Sequence, residues 1–261
     1  MHRITALTAA VLLAVGGLAA CGDDEPTPVV GGDGEEVAGP NVALAGPLDG
    51  DTLAGGVELT MTAVGVAIEP AGEVREGAGH FHVIADAGCT PPGAPIERDA
   101  DHVHFGQAQT EGKIYLEPGE HDLCLQVGNG VHEATELTHE VTITVGISSP
   151  EEWCRVVGEY DALRTAADES TEDFAVRKIA YENARRLITQ LQDAIAQVDA
   201  EGRELVAATL SAATEMVTAW SDAVDEADAQ TRLNEVVAVT PSEAGPGGPW
   251  ILEHCQVDLS T

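Results

Sequence analysis

Aromatic side chains are scarce in this chain of 261 residues, with three each of Trp, Tyr and Phe. So few rings exclude a broad stacking platform for bases. Positive charge is scarcer still: 12 Lys and Arg, only two of them Lys, stand against 45 Asp and Glu, for a formal net charge of −33. A surface this acidic repels phosphate backbones, so nucleic-acid binding is excluded. It also repels anionic lipid headgroups, so any attachment to a membrane has to be covalent or hydrophobic. No Gly-x-Ser-x-Gly, no His-Glu-x-x-His and no phosphate-binding Gly-rich loop occurs, which removes the commonest hydrolase, metalloprotease and nucleotide-binding signatures. Apolar residues still make up 44%, enough for a packed core.

The only long apolar run is at the start. His2 and Arg3 form a short polar lead, Ile4 to Leu18 is almost wholly apolar or small, and Leu18-Ala19-Ala20-Cys21 follows. This is the pattern of a secretory signal over residues 1–20. The run is at the short limit for a membrane-spanning helix, and no basic stop follows it. Leu-Ala-Ala-Cys resembles the bacterial lipobox, which implies lipidation of Cys21 as the new N-terminus and an extracytoplasmic protein anchored to the cell membrane by its acyl chains. Residues 21–40 then carry six acidic residues and no basic one among Gly, Pro, Thr and Val, an acidic tether without apolar periodicity.

Of five cysteines, removing Cys21 leaves Cys89, Cys124, Cys154 and Cys255, an even set that fits two disulfides in an oxidising compartment. Three pairings are open. Cys89–Cys124 with Cys154–Cys255 is favoured because each bridge then stays within one of two differently patterned halves.

Residues 41–147 read as all-β. Val57, Leu59, Met61 and Ala63 alternate with polar or small neighbours, as do Leu123, Leu125 and Val127, and Val141, Ile143 and Val145. Pro- and Gly-bearing turns separate the runs. Seven strands are expected, near 41–46, 57–67, 80–86, 102–106, 112–117, 121–128 and 138–146, and an Ig-like antiparallel β-sandwich accommodates them. Residues 148–261 read as all-α, a helical bundle or hairpin. Ser148-Ser149-Pro150-Glu151-Glu152 is a helix start. Phe174, Tyr181, Ile188 and Ile195, with Ala184, Leu191 and Val198, form a heptad seam. A second helix is expected from the Gly202 turn to about 230, with Leu205, Leu210, Ala213, Met216, Val217, Trp220 and Val224 facing inward. Residues 240–249 are expected to be a loop, and 250–255 a short final helix.

Four stretches resemble a bacterial family known as domain of unknown function family 4399. They are Ala45-Gly46-Pro47-Leu48-Asp49-Gly50-Asp51-Thr52, Gly79-His80-Phe81-His82-Val83-Ile84-Ala85-Asp86, Asp101-His102-Val103-His104-Phe105-Gly106-Gln107-Ala108-Gln109-Thr110-Glu111, and Leu116-Glu117-Pro118-Gly119-Glu120-His121. The likeness covers about residues 41–146 and implies an exported β-sandwich without supplying an activity. Family members commonly have a further histidine where Phe81 stands. The helical half is similar, more loosely, to uncharacterised actinobacterial lipoprotein modules bracketed by a Trp-Cys pair and a late Cys.

Six of the nine histidines lie between 80 and 132. His80/His82 and His102/His104 are two His-x-His pairs, and on strands each pair projects both rings from one face. Phe81, Val83, Val103 and Phe105 take the opposite phase, so the apolar residues are expected to face the core and the imidazoles to face outward. If the two strands are neighbours, His80, His82, His102 and His104 form a surface site for a divalent metal, copper or zinc. Its affinity is expected to fall as pH drops through about 6.5, the ordinary imidazole pKa. His132, in a loop, is a labile extra ligand. His121 shares the phase of Leu123 and is expected to be a buried, hydrogen-bonded histidine. His80-Phe81-His82, Gly88-Cys89-Thr90 and His102 also resemble copper/zinc superoxide dismutases, which implies a metalloenzyme. The chain departs from that pattern, since it has no Gly-Asp-Leu-Gly-Asn-like segment. The other reading is a structural or protein-interaction lipoprotein, with an unidentified protein partner and no small ligand. No general acid, base or substrate pocket is legible, so the sequence is read as a non-enzyme.

The lipobox generates the first prediction. Cys21→Ser should release the protein from membranes or leave its signal uncut; cell fractionation showing unchanged attachment with normal processing would contradict the assignment.

Overall fold

The fold is that of a computed structural model that describes residues 39–239 and 245–259. The signal at 1–20, Cys21 and nearly all of the tether lie outside the described residues. Ala38–Thr261 is one compact unit in which the β part is followed directly by the helices.

Period-two burial builds the β part. The long strands are β1 (Asn41–Gly46), β3 (Val57–Val64), β5 (Ala78–Ala85), β6 (His102–Phe105), β7 (Glu111–Ile114), β8 (Gly119–Gly128) and β9 (Ala134–Val145); β2 (Thr52–Leu53) and β4 (Ala67–Ile68) are two-residue additions that have no periodic signal. One sheet has the order β1-β3-β7. The other runs β2-β9-β8-β5-β4, with β6 also paired to β5. The long pairings are antiparallel; β2 on β9 and β4 on β5 are parallel, a departure from a purely antiparallel arrangement. Val42, Leu44, Val57, Leu59 and Met61 of the smaller sheet meet Phe81, Val83, Phe105, Leu123, Leu125, Val127, Val141, Ile143 and Val145 of the larger in one apolar core.

The larger sheet is buried on its second face too. Ile84, Ile96, Cys124 and Ala134 form a small separate cluster there, joined by Cys89. The Cys89–Cys124 disulfide pins the segment after β5 across this face. The face expected to be open to solvent is therefore covered.

The helices are α1 (Pro150–Glu169), α2 (Phe174–Asp193), α3 (Arg203–Ser221), α4 (Glu226–Val239) and α5 (Gly248–Cys255). Ser149 caps α1 by accepting from the Glu152 N–H at 3.2 Å, while the Glu152 carboxylate accepts from the Ser148 N–H and hydroxyl. The heptad seam is internal: Tyr181, Ala184, Ile188, Leu191 and Val198 are buried together with Trp153, Val156 and Val157 of α1. The single helix expected from 202 to about 230 is broken at 222–225. The Asp225 carboxylate accepts from the Asp228 N–H at 2.9 Å and starts α4 afresh, since aspartate is a strong N-cap. The break leaves Val224 80% exposed, and Leu205 is 45% exposed, so neither faces inward as expected. The final helix starts two residues before the expected boundary, and Cys154–Cys255 ties it to α1.

The helical half grips the β part through buried polar groups. Gln190 of α2, 1% exposed, accepts from the Gly55 N–H at 2.8 Å and donates to the carbonyls of Gly55 and Leu116. Arg186, one turn earlier, donates to the carbonyls of Ala100 and Tyr115 and pairs with Asp101 at 2.6 Å. Arg155 of α1 donates to the Ala54 carbonyl. Gln190→Ala would leave the Gly55 N–H and the Leu116 carbonyl buried without partners. It should cost about 2–4 kcal/mol in urea unfolding; a loss below about 0.5 kcal/mol would mean that this junction does not hold the halves together.

Candidate metal centre

β5 and β6 pair antiparallel with His82 opposite His104 and Ile84 opposite His102. On its other side β5 pairs with β8, placing His80 opposite Gly128 and His82 opposite Gln126. His80, His82 and His104 thus share the covered face of the sheet. The turn after β8 supplies a fourth ring. The Asn129 side-chain oxygen accepts from the N–H groups of Val131 and Glu133 at 3.0 Å, and within this turn His132 takes a left-handed conformation with φ of 67°.

All four imidazoles are neighbours, with ring centroids 4.6–5.8 Å apart in every pairing. Nε2 of His82 lies 3.0 Å from Nε2 of His80, and Nε2 of His132 lies 3.1 Å from Nε2 of His104. His80 and His82 are 0% and 1% exposed. Two glycines make room: a β-carbon on Gly128 would stand 2.8 Å from Nε2 of His82, and one on Gly106 would collide with the His104 ring. His104 also lines a cleft of ≈180 Å³ beside Val176 and Ile179 of α2, so one ring of the set faces space open to solvent.

Burial sets the electrostatics. Loss of water, together with the neighbouring rings His104 and His132, lowers the His80 pKa to about 4. Desolvation, followed by the other rings of the cluster, lowers that of His82 to about 3. His104 is lowered by burial, by His132 and by the Arg98 guanidinium. These three rings are neutral at pH 7 and present lone pairs rather than charge.

The structure thus brings together three of the four histidines expected as ligands and replaces the fourth. His102 shares the β6 face with His104 but lies at the far end of the pairing, and its Nδ1 sits 2.8 Å from the Asp99 carboxylate. His132, expected only as a labile extra ligand, completes the cluster. His121 lies at the edge of the other core, with Nδ1 2.7 Å from the Asp86 carboxylate and Nε2 2.8 Å from the Glu117 carbonyl. Gly106 and Gly128 carried no signal in the sequence beyond being glycines next to histidine-bearing strands. The position of His132 was unreadable because a turn has no periodicity from which to infer direction.

The donor set can be tested against an ion. Imidazole nitrogens, without a carboxylate or thiolate among them, suit Cu(II), Zn(II) or Ni(II) better than Ca(II) or Mg(II). The separations of 3.0 and 3.1 Å within each pair match the roughly 2.9–3.4 Å between adjacent nitrogens around an ion held at about 2.0–2.1 Å. Ligand atoms of His80, His104 and His132 all lie within 4.8 Å of one another, so these three fit such an ion, while His82 stands outside that group with its Nε2 against His80.

Residues 59–146 match a family model described as Domain of unknown function (DUF4399), a stretch that holds all four clustered histidines. No curated protein matches the chain.

Because His80 and His82 have lower pKa values folded than unfolded, the unfolded chain binds more protons between pH 6.5 and about 4. Stability is therefore fully present above pH 6.5 and falls as pH drops through that window, by up to about 1.4 kcal/mol per pH unit for each ring. Urea unfolding of the metal-free protein at stepped pH should show this slope, and His80→Asn/His82→Asn should flatten it. Equal slopes would contradict the burial of the neutral rings.

Proposed function

We propose that this protein is an exported, lipid-anchored module that binds one divalent metal ion, copper or zinc, through His80, His104 and His132, with the buried His82 ring packed against His80. The observation that carries this reading is the convergence of four imidazoles, two of them fully buried, in a region where they serve neither of the two apolar cores. Burying four polar rings against one another is costly without a partner that uses their lone pairs. An ion uses the lone pairs of His80, His104 and His132 at once, whereas the metal-free network has the two Nε2–Nε2 contacts. The Nδ1 atoms of His80 and His82 are buried without a protein partner.

Export is supported by the two disulfides, which belong to an oxidising compartment. Among the described residues no helix is long and apolar enough to cross a membrane. Attachment through Cys21 remains the role assigned to the lipobox. The reading is a binding module, in keeping with a sequence that carries none of the common hydrolase, metalloprotease or nucleotide-binding signatures. The two-sheet arrangement around one core supports an Ig-like sandwich to which β2 and β4 add short parallel pairings.

The lowered pKa values change the expected pH dependence. Protons begin to compete at His80 only near pH 4, rather than near 6.5. Calorimetric titration with Zn(II) or Cu(II) at moderate salt should give one stoichiometric, micromolar-or-tighter event. His80→Ala/His104→Ala should weaken it at least 100-fold, and His102→Ala should change it less than 3-fold. Equal affinity in wild type and the double variant would refute the site, since a surface of this charge takes up cations without it.

A further inference from the structure

His132 is the one clustered ring that no strand carries. It comes from a turn, and turns are placed by what they rest against. Here the support is the segment that follows β5. The Ile96 N–H donates to the His132 carbonyl at 2.8 Å, and the Gly93 N–H and the Ala94 carbonyl bond the two sides of Ala134, also at 2.8 Å. Ile96 packs with Ala134 and Cys124 in the small cluster on the covered face.

That segment is itself held at two points. The first is the Cys89–Cys124 crosslink to β8. The second is Gln126, two residues along β8 from Cys124 and 0% exposed. Its oxygen accepts from the Thr90 N–H at 3.0 Å, while its nitrogen donates to the carbonyls of Thr90 at 2.8 Å and Thr135 at 3.0 Å. One side chain thus ties the covering segment and the strand after His132 to the sheet, directly opposite His82.

We propose that Gln126 and the Cys89–Cys124 crosslink are the positioning elements that make His132 a ligand, so that releasing this clamp turns a three-imidazole site into a two-imidazole one. This rests on the metal-binding reading above and adds that the ligand number is set from outside the ligands. Neither Gln126 nor either cysteine belongs to the ligand group. Their effect passes through the backbone bonds that seat His132.

The test uses the folded chain with Cu(II) as the probe. Wild type should show an electron paramagnetic resonance signature of three nitrogen ligands. Gln126→Ala and Cys89→Ala/Cys124→Ala should each shift it to the two-nitrogen signature of His132→Ala and weaken Cu(II) binding about 10–100-fold, the usual range for groups that orient a ligand. Adding His132→Ala to either variant should then change affinity less than 3-fold. A three-nitrogen signature in both variants would overturn the proposal. If the crosslink-free chain lacks a cooperative melt, Gln126→Ala alone decides. A metal-free measurement separates this proposal from the reading it rests on. In nitrogen-15 spectra of the histidine rings, Gln126→Ala should move the His132 resonances while those of His121 stay in place. Unmoved His132 signals would overturn the positioning role, and absence of Cu(II) uptake by wild type would overturn only the metal reading.

Discussion

Everything at the candidate centre depends on one constraint: β5 is buried on both faces. Phe81 and Val83 fill the core between the sheets, and His80 and His82 lie under the covering segment on the other side. An imidazole on an open sheet face would keep its ordinary protonation and its water. Covering the face removes the water, holds the rings neutral, and forces their nitrogens toward one another because few other polar partners are within reach. The glycines at 106 and 128 follow from the same constraint. Four rings fit under a closed cover only where neighbouring strand positions give up their side chains.

The cover stays in place through connections that reach well beyond the cluster. On the sheet side it is crosslinked at Cys124 and tied at Gln126. At its far end, just before β6, Arg186 of α2 holds the Ala100 carbonyl and the Asp101 carboxylate. The helical half thereby fixes the entry to the strand that carries His104, and its α2 helix walls the cleft onto which that ring opens. Helices and sheets here form a single mechanical unit.

Charge is distributed with the same economy. Three of the cations sit where carbonyls and carboxylates of the two halves meet: Arg155 on the Ala54 carbonyl and Glu159, Lys113 between Glu58 and Glu159, Arg186 on Asp101. The acidic excess is left on solvated surface. None of it enters the four-histidine set, where a carboxylate would have favoured harder ions. A cation is thus attracted generally by the whole surface and selected locally by neutral nitrogens.

What the sequence by itself determined is whatever a repeating pattern or a short local rule encodes. Alternation marked the seven long strands and placed Phe81, Val83 and Leu123 in the core. The heptad seam marked α2, the Ser-Pro-Glu start marked α1, and keeping each bridge inside one patterned half paired the four cysteines correctly. The two-residue strands β2 and β4, the break at 222–225 and the exposure of Val224 escaped, because they are too short to show a period or depend on a cap that competes with it. Only the tertiary structure decided which histidines meet. The His-x-His spacing sends His102 and His104 to one face, but the antiparallel register sets His104 against His82 and leaves His102 opposite Ile84, beside Asp99. The place of His132 was decided by a left-handed turn resting on a segment some forty residues earlier, a relation that arises only when the chain closes on itself. Burial of the outer face was likewise invisible, since a strand covered on both sides by different partners has no single face for a pattern to report.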